Sequence, residues 1–222
     1  MPHRTDSPAI TRRRDFIMKY FPLALAPALL CLPLLVVAKD KQDSPQASAH
    51  PTPAADAVLP QGSLYVLKSS WADQNGKTVA WAKSRGTPRV VALGYATCKG
   101  ICPRIIADMQ RIEAGLPAES KTRFTFITLD PAHDLQPEMK ALEARHQLDA
   151  KRWDLLRGAE DDLLELAVTL GVRYNRLPNG VDFAHSYLIA VLGPDGRILH
   201  KWTNPKDGPE AAIKVLKSLP SS

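Results

Sequence analysis

The stretch VVALGYATCKGICPRIIADMQRI, residues 90–112, joins an apolar run to a helical pattern through a segment with two cysteines. Residues 88–95 have the composition of a buried β-strand, and the apolar residues after Cys102 recur at a helical spacing of three to four. The stretch therefore predicts a strand, a short loop and a helix. Cys98 and Cys102 then lie at the carboxyl end of a strand, where open α/β sheets favour ligands and chemistry.

The rest of the sequence predicts an alternation of strands and helices around this stretch. Further strands are expected at residues 123–130 and 153–158 and as two runs within 185–202, and helices at residues 102–116, 137–147, 160–171 and 208–219. Before them, SLYVL (63–67) and TVAWA (78–82) predict a short hairpin. The fold class is therefore α/β, with a mixed sheet and helices on both of its faces.

Residues 1–38 are predicted to form a signal or membrane-anchor segment. A basic cluster precedes 19 uncharged residues from Tyr20 to Ala38. A signal-peptide apolar region has ~7–15 residues and a membrane-spanning helix needs ~20, so the length favours an anchor. Positive charge stays inside, which places the folded part on the periplasmic side of the inner membrane. Cleavage after Ala38, with export of the remainder, is the alternative.

Two further regions follow this segment. Residues 39–61 are rich in proline, alanine and polar residues and are predicted to form a flexible linker, and residues 62–222 are predicted to form one folded domain. The net charge of +6 comes mainly from the N-terminus, because 22 basic and 20 acidic side chains follow residue 41. So small an excess of positive charge does not predict a surface that binds nucleic acid.

The two cysteines of the domain could be a structural disulfide, a redox couple or a pair of metal ligands. An iron–sulfur cluster and a closed zinc site each need four ligands, which this pattern lacks. A disulfide across so short a loop is worth only ~2 kcal/mol in the chain-entropy model. The helix N-terminus and the positive charges of Lys99 and Arg104 are expected to favour the thiolate form of the two cysteines. Two thiolates on one helix face suit either disulfide exchange or a soft ion such as Cu(I).

Three segments together resemble one protein family. GYATCKGICP (94–103) resembles the T-C-x-x-x-C-P signature of the Sco/SenC family of thioredoxin-like copper chaperones for cytochrome c oxidase assembly. FITLDPAHD (126–134) is similar to the family's D-P-x-x-D segment, and DFAHSYLIAVLGPDGRI (182–198) is similar to its distal histidine with the following strand and turn. The resemblance covers residues 62–218 and implies a thioredoxin-like fold.

The resemblance implies a site of Cys98, Cys102 and His185 that holds Cu(I) or Cu(II). The implied partner is a copper-receiving oxidase subunit with a dinuclear copper centre. The sequence leaves open whether another protein donates copper to the chain. In an oxidising compartment the two cysteines are also expected to form a reversible Cys98–Cys102 disulfide. Gly100 and Ala184 depart from the family, since acidic residues are common at both positions.

A thiol–disulfide oxidoreductase of the same fold, reducing the cysteines of an oxidase subunit or another exported protein, is the main alternative. A copper or redox sensor is a third. The C-x3-C spacing, together with His185 where thioredoxins carry a proline, favours a metal carrier that is not an enzyme. Asp130 and Asp134 are expected to be turn and helix-start residues. The other histidines of the domain are expected at surface or capping positions, namely His133, His146 and His200.

Overall fold

The computed structural model describes residues 58–220. The expected signal or anchor segment, residues 1–38, and residues 39–57 of the expected linker lie outside the described residues. Among the residues that are described, no helix has the length and apolar character needed to cross a membrane.

The described residues form a seven-stranded mixed sheet and a separate two-stranded one. In chain order the strands are β1 (Ser70–Ala72), β2 (Thr78–Ala80), β3 (Arg89–Gly94), β4 (Arg123–Thr128), β5 (Trp153–Gly158), β6 (Tyr174–Arg176), β7 (Phe183–His185), β8 (Ile189–Leu192) and β9 (Ile198–Trp202). The large sheet has the order β2-β1-β5-β4-β3-β8-β9. Its centre, β3, β4 and β5, is parallel, and β1, β8 and β9 pair antiparallel with their neighbours.

Helices cover both faces of the large sheet, as the sequence predicts. They are α1 (Cys102–Ala114), α2 (Gln136–His146), α3 (Glu160–Leu170) and α4 (Glu210–Lys217). In β3, Val90 and Ala92 join the core with α1, α2 and α4, whereas Val91 and Leu93 join the core with α3. Because successive side chains of a strand point to opposite faces, a strand buried on both sides is apolar over most of its length. The Cys98–Cys102 loop lies at the end of this central strand.

The predicted hairpin at residues 63–82 is wrong in its first half. Leu64–Val66 is a single turn of 3-10 helix, in which the Ser63 hydroxyl accepts a hydrogen bond from the Tyr65 amide at 3.1 Å. Leu64 and Tyr65 are consecutive and both buried, which the alternation of a half-buried strand does not allow. The hairpin is formed instead by β1, which pairs with β2.

Candidate metal centre

Cys98 and Cys102 lie on the connection that leaves the end of β3. Cys102 is the first residue of α1, with Pro103 in the first turn, where the absent proline N–H costs no helical hydrogen bond. Both cysteines are free thiols, with exposed fractions of 8% and 2%. A Cβ on Gly94 would lie 2.9 Å from Cys102 Sγ and 2.6 Å from Phe126 Cζ. The glycine therefore leaves the space that the Cys102 sulfur occupies.

His185 approaches these thiols from a different part of the chain. It ends β7 and pairs with Tyr174 of β6, so it belongs to a short hairpin. The sequence placed His185 at the start of the next strand, β8, and that prediction is wrong. Its Nε2 lies 3.4 Å from Cys102 Sγ. One donor atom from each of Cys98, Cys102 and His185 lies within 4.8 Å of the others. The fold thus brings together the three side chains that the family resemblance assigns to one site.

A second contact of His185 orients its imidazole. Nδ1 lies 3.1 Å from the carbonyl oxygen of Ser186. Since a carbonyl can only accept, Nδ1 carries the proton, and the lone pair of Nε2 faces the thiols. Burial lowers the pKa of His185, although the Ser186 carbonyl opposes this shift. The neutral imidazole is therefore the stable form near pH 7, and this is the form that binds metals.

The thiolate expected at the helix N-terminus is wrong for Cys102. Burial raises the pKa of Cys102, and the nearby Cys98 shifts that pKa further in the same direction. Arg104 does not offset this effect, because its Nε donates to Asp108 at 2.6 Å. Cys102 therefore favours the protonated thiol, and a metal ion bound there would have to displace its proton.

Asp134 anchors the cysteine loop and does not start α2. Its Oδ2 accepts hydrogen bonds from the Ala96 amide at 2.8 Å and from the Thr128 hydroxyl. The residue that precedes α2 is Leu135, which gives no side-chain cap. Burial raises the pKa of Asp134, and the bonds from Thr128 and Ala96 counteract that rise. The expectation of a helix-start residue is corrected: this carboxyl group fixes the backbone two residues before Cys98.

Asp130 connects the same segment to the hairpin that carries His185. It accepts hydrogen bonds from Arg176 Nη2 of β6 at 2.6 Å and from His133 Nδ1 at 2.8 Å. Burial alone would raise the pKa of Asp130, but these two bonds hold the pKa below its usual value. The Arg176 guanidinium also lies 4.3 Å from the centre of the Phe183 ring in β7. The ion pair thus joins the D-P-x-x-D segment to both strands of the hairpin.

Tyr95 packs against His185, and the sequence analysis did not identify it. Its ring lies 6.4 Å from the His185 ring in an edge-on arrangement and 5.2 Å from the Phe183 ring. Its hydroxyl donates to Asp182 Oδ1 at 3.1 Å. The only signal in the sequence is an aromatic residue just before the cysteine loop, which is also typical of ordinary core packing.

The remaining residues that the sequence singled out lie around or away from the site. Gly100 and Ala184 are both exposed, so the acidic side chains common there in the family would face solvent. His133 is largely exposed, as expected. His146, at the end of α2, and His200, on β9, are both half-buried. Across residues 58–220, Cys98, Cys102 and His185 form the one group of three side chains arranged to hold a metal ion.

Comparisons with known proteins support the fold and the family resemblance. Residues 63–220 match the SCO1/SenC family. A protein of Stutzerimonas stutzeri that is named for copper binding is 26% identical over 155 residues, or 64% of this chain and 74% of that protein. The solved structure of Bradyrhizobium japonicum ScoI with copper bound is 25% identical, with a TM-score of 0.58, over 67% of this chain and 95% of that chain.

A third similar protein also has a solved structure. BsSco, described as a member of the Sco family of cytochrome c oxidase assembly proteins with a disulfide switch, is 25% identical. The match has a TM-score of 0.59 and covers 67% of this chain and 89% of that chain. The predicted fold class and the family resemblance are confirmed by these matches.

Proposed function

The chain belongs to the SCO1/SenC family, and on this premise we propose that it is a copper metallochaperone. It delivers copper to the dinuclear copper site of cytochrome c oxidase during assembly of that enzyme. Copper is its cargo, held by Cys98, Cys102 and His185. The observation that carries the proposal is the approach of their three donor atoms to within 4.8 Å. Copper binding by the relatives and the oxidase-assembly family of BsSco support the proposal.

The chemistry of the donors suits a carrier that handles both oxidation states. Two thiolates are soft ligands that favour Cu(I), and a neutral imidazole suits Cu(II) as well. The cysteines are buried, whereas His185 is half-buried beside an open depression. The depression is lined by Arg173, Tyr174, Asn175, Ala184, His185 and Ser186. A receiving protein could therefore reach the copper from the histidine side and replace its ligands one at a time.

The delivery step is tested by mixing the copper-loaded protein with the copper-free copper domain of an oxidase subunit. The proposal expects copper to leave the chaperone and the absorption of the dinuclear centre to appear. A protein that binds copper tightly but never transfers it to this domain would not be the chaperone of that oxidase. Free copper at the same concentration is the control for transfer through solution.

Copper uptake is expected to depend on pH through Cys102. Because burial raises the pKa of the Cys102 thiol, Cu(I) must displace its proton, and affinity should rise about tenfold per pH unit for each proton released. His185 adds no such competition near neutral pH, since burial keeps its pKa low. Competition titration with a Cu(I) chelator between about pH 6 and 8 measures the slope. An affinity that is flat across this range would mean that Cys102 is already a thiolate.

The Cys98–Cys102 pair is proposed to act as a redox gate on copper binding. Oxidation to a disulfide removes both sulfur ligands, so the oxidised protein should not bind copper. Thiol labelling followed by peptide mass spectrometry should find both cysteines reactive only after reduction. Labelling that never changes with reductant would rule out the couple.

The location of the protein is also a proposal. Residues 1–38 anchor the chain in the inner membrane with the domain on the periplasmic side, or are removed on export. The support is the uncharged run of 19 residues after a basic cluster. Fractionation of cells should recover the protein with membranes or in the periplasm. Intact protein in the cytosolic fraction would contradict both versions.

A further inference from the structure

A buried carboxylate lies in the middle of α1, the helix that begins with Cys102. Asp108 is 1% exposed and lies on a stripe with Arg104 and Arg111, which are four and three residues away. Tyr187, from the connection between β7 and β8, completes what we call the Asp108 cluster: Arg104, Asp108, Arg111 and Tyr187. None of these residues belongs to the three-ligand group described above.

Both oxygens of the Asp108 carboxylate accept hydrogen bonds within the cluster. Oδ2 accepts hydrogen bonds from Arg104 Nε at 2.6 Å and from the Tyr187 hydroxyl at 2.8 Å, and Oδ1 accepts one from Arg111 Nη1 at 3.1 Å. Burying a charge is costly unless it is paired and hydrogen-bonded, so these contacts have to be maintained together. Asp108 therefore holds its partners in a defined geometry.

One partner of Asp108, Tyr187, lies on the segment that carries His185. Tyr187 follows His185 by two residues, and in an extended chain such residues point to the same side. The intervening Ser186 hydroxyl points elsewhere and lies 3.2 Å from the Arg173 amide. The Tyr187 ring packs edge-on against Trp202 of β9, with the ring centres 5.9 Å apart. Tyr187 is thus fixed against the large sheet on one side and against α1 on the other.

We propose that Asp108 and Tyr187 are positioning residues that set the separation between Cys102 Sγ and His185 Nε2. Their hydrogen bond links α1, which begins with Cys102, to the segment that carries His185. The inference rests on the proposed copper function, because it assigns the cluster the task of keeping the imidazole within reach of a metal held by the thiols.

The two oxidation states of copper should respond differently to loss of this link. The two thiolates alone can hold Cu(I), so its affinity depends little on the position of His185. Cu(II) depends on the imidazole, so it should be the sensitive state. Removing the link should therefore change the preference for Cu(II) over Cu(I), whereas general loosening of the fold would weaken both.

Tyr187→Phe is the test, because it removes one hydroxyl and keeps the ring that packs against Trp202. We expect Cu(II) affinity to fall about tenfold, the scale of outer-shell partners of a metal ligand, and Cu(I) affinity to stay within about twofold. The thiolate-to-Cu(II) absorption should also shift. Tyr65→Phe is the matched control, since Tyr65 is a buried tyrosine in the core that includes α3, on the other face of the large sheet from α1. It should bind both ions like the parent. Asp108→Asn should repeat the Tyr187→Phe pattern.

A metal-free measurement separates this inference from the proposed function. In the reduced apoprotein, nuclear Overhauser contacts between the His185 ring and the Cys102 β-protons should weaken in Tyr187→Phe and persist in Tyr65→Phe. Parent-like contacts and parent-like Cu(II) affinity in Tyr187→Phe would overturn the positioning role. Equal losses of Cu(I) and Cu(II) affinity would overturn it too. A parent protein that binds no copper would refute the proposed function, and the apoprotein contacts would still decide the positioning role.

Discussion

Replacing His185 with alanine is expected to lower Cu(II) affinity by more than ~100-fold, the upper end of what outer-shell partners contribute. The imidazole supplies the one nitrogen donor of the group, and its Nε2 lone pair faces the thiols. Two thiolates remain in the variant, so Cu(I) should still bind, with reduced affinity. Anaerobic titration of the reduced protein with Cu(I), and titration with Cu(II) followed by charge-transfer absorption, measure the two effects.

The fold should tolerate this substitution, because His185 is half-buried at the end of a three-residue strand. Circular dichroism and formation of the Cys98–Cys102 disulfide should therefore match the parent. His200→Ala is the matched control, since His200 is a half-buried strand residue outside the group of three. If His185→Ala binds Cu(II) like the parent, the proposed ligand set is wrong and the reductase alternative becomes the stronger one.

Gly94→Ala is expected to damage the site through packing and not through loss of a ligand. The new Cβ would lie 2.6 Å from Phe126 Cζ and 2.9 Å from Cys102 Sγ, closer than real side chains approach. Phe126 is fully buried in the core, so it cannot move away freely. Overpacking of this kind costs about 1–3 kcal/mol of unfolding free energy. Displacement of the Cys102 sulfur should also lower Cu(I) affinity. The loss of Cu(I) affinity should be larger in Gly94→Ala than in His185→Ala.

Gly100→Ala provides the matched control for this prediction. Gly100 lies between the two cysteines, but a Cβ there meets no atom within 4 Å. The same chemical change should therefore leave stability and Cu(I) affinity close to those of the parent. Denaturant unfolding and Cu(I) competition, run on both variants, make the comparison. Equal behaviour of the two alanine variants would show that the space at Gly94 does not limit the position of Cys102.

The sequence predicts the centre of the fold well because β3 and α1 carry strong local patterns. A strand buried on both faces is continuously apolar, and α1 repeats its apolar residues at helical spacing. The three-residue strands β6 and β7 have no such pattern, since their burial alternates between half-buried and exposed. Their pairing is therefore fixed by tertiary contacts such as the Arg176–Asp130 ion pair.

Cys98 and Cys102 could be predicted as a functional pair from their spacing and position, whereas His185 could be predicted only by resemblance, and the raised pKa of Cys102 could not be predicted. No local pattern places His185 beside Cys102, because their contact joins residues that are 83 positions apart. The thiolate expectation for Cys102 considered the helix N-terminus and nearby cations, but the pKa depends on how deeply the sulfur is buried. The burial depends in part on Gly94 of β3, which leaves the space that the Cys102 sulfur occupies.

The late position of the β6–β7 hairpin in the chain also determines when the site can exist. A chain is synthesised from its N-terminus, so both thiols emerge long before His185 and β8. Contacts between distant residues carry a loop-closure cost and form slowly. A nascent or partly folded chain thus presents two reduced thiols without the imidazole. Copper captured at this stage would bind as Cu(I) alone, and the Cu(II)-competent state would appear only when the β6–β7 hairpin brings His185 to the thiols.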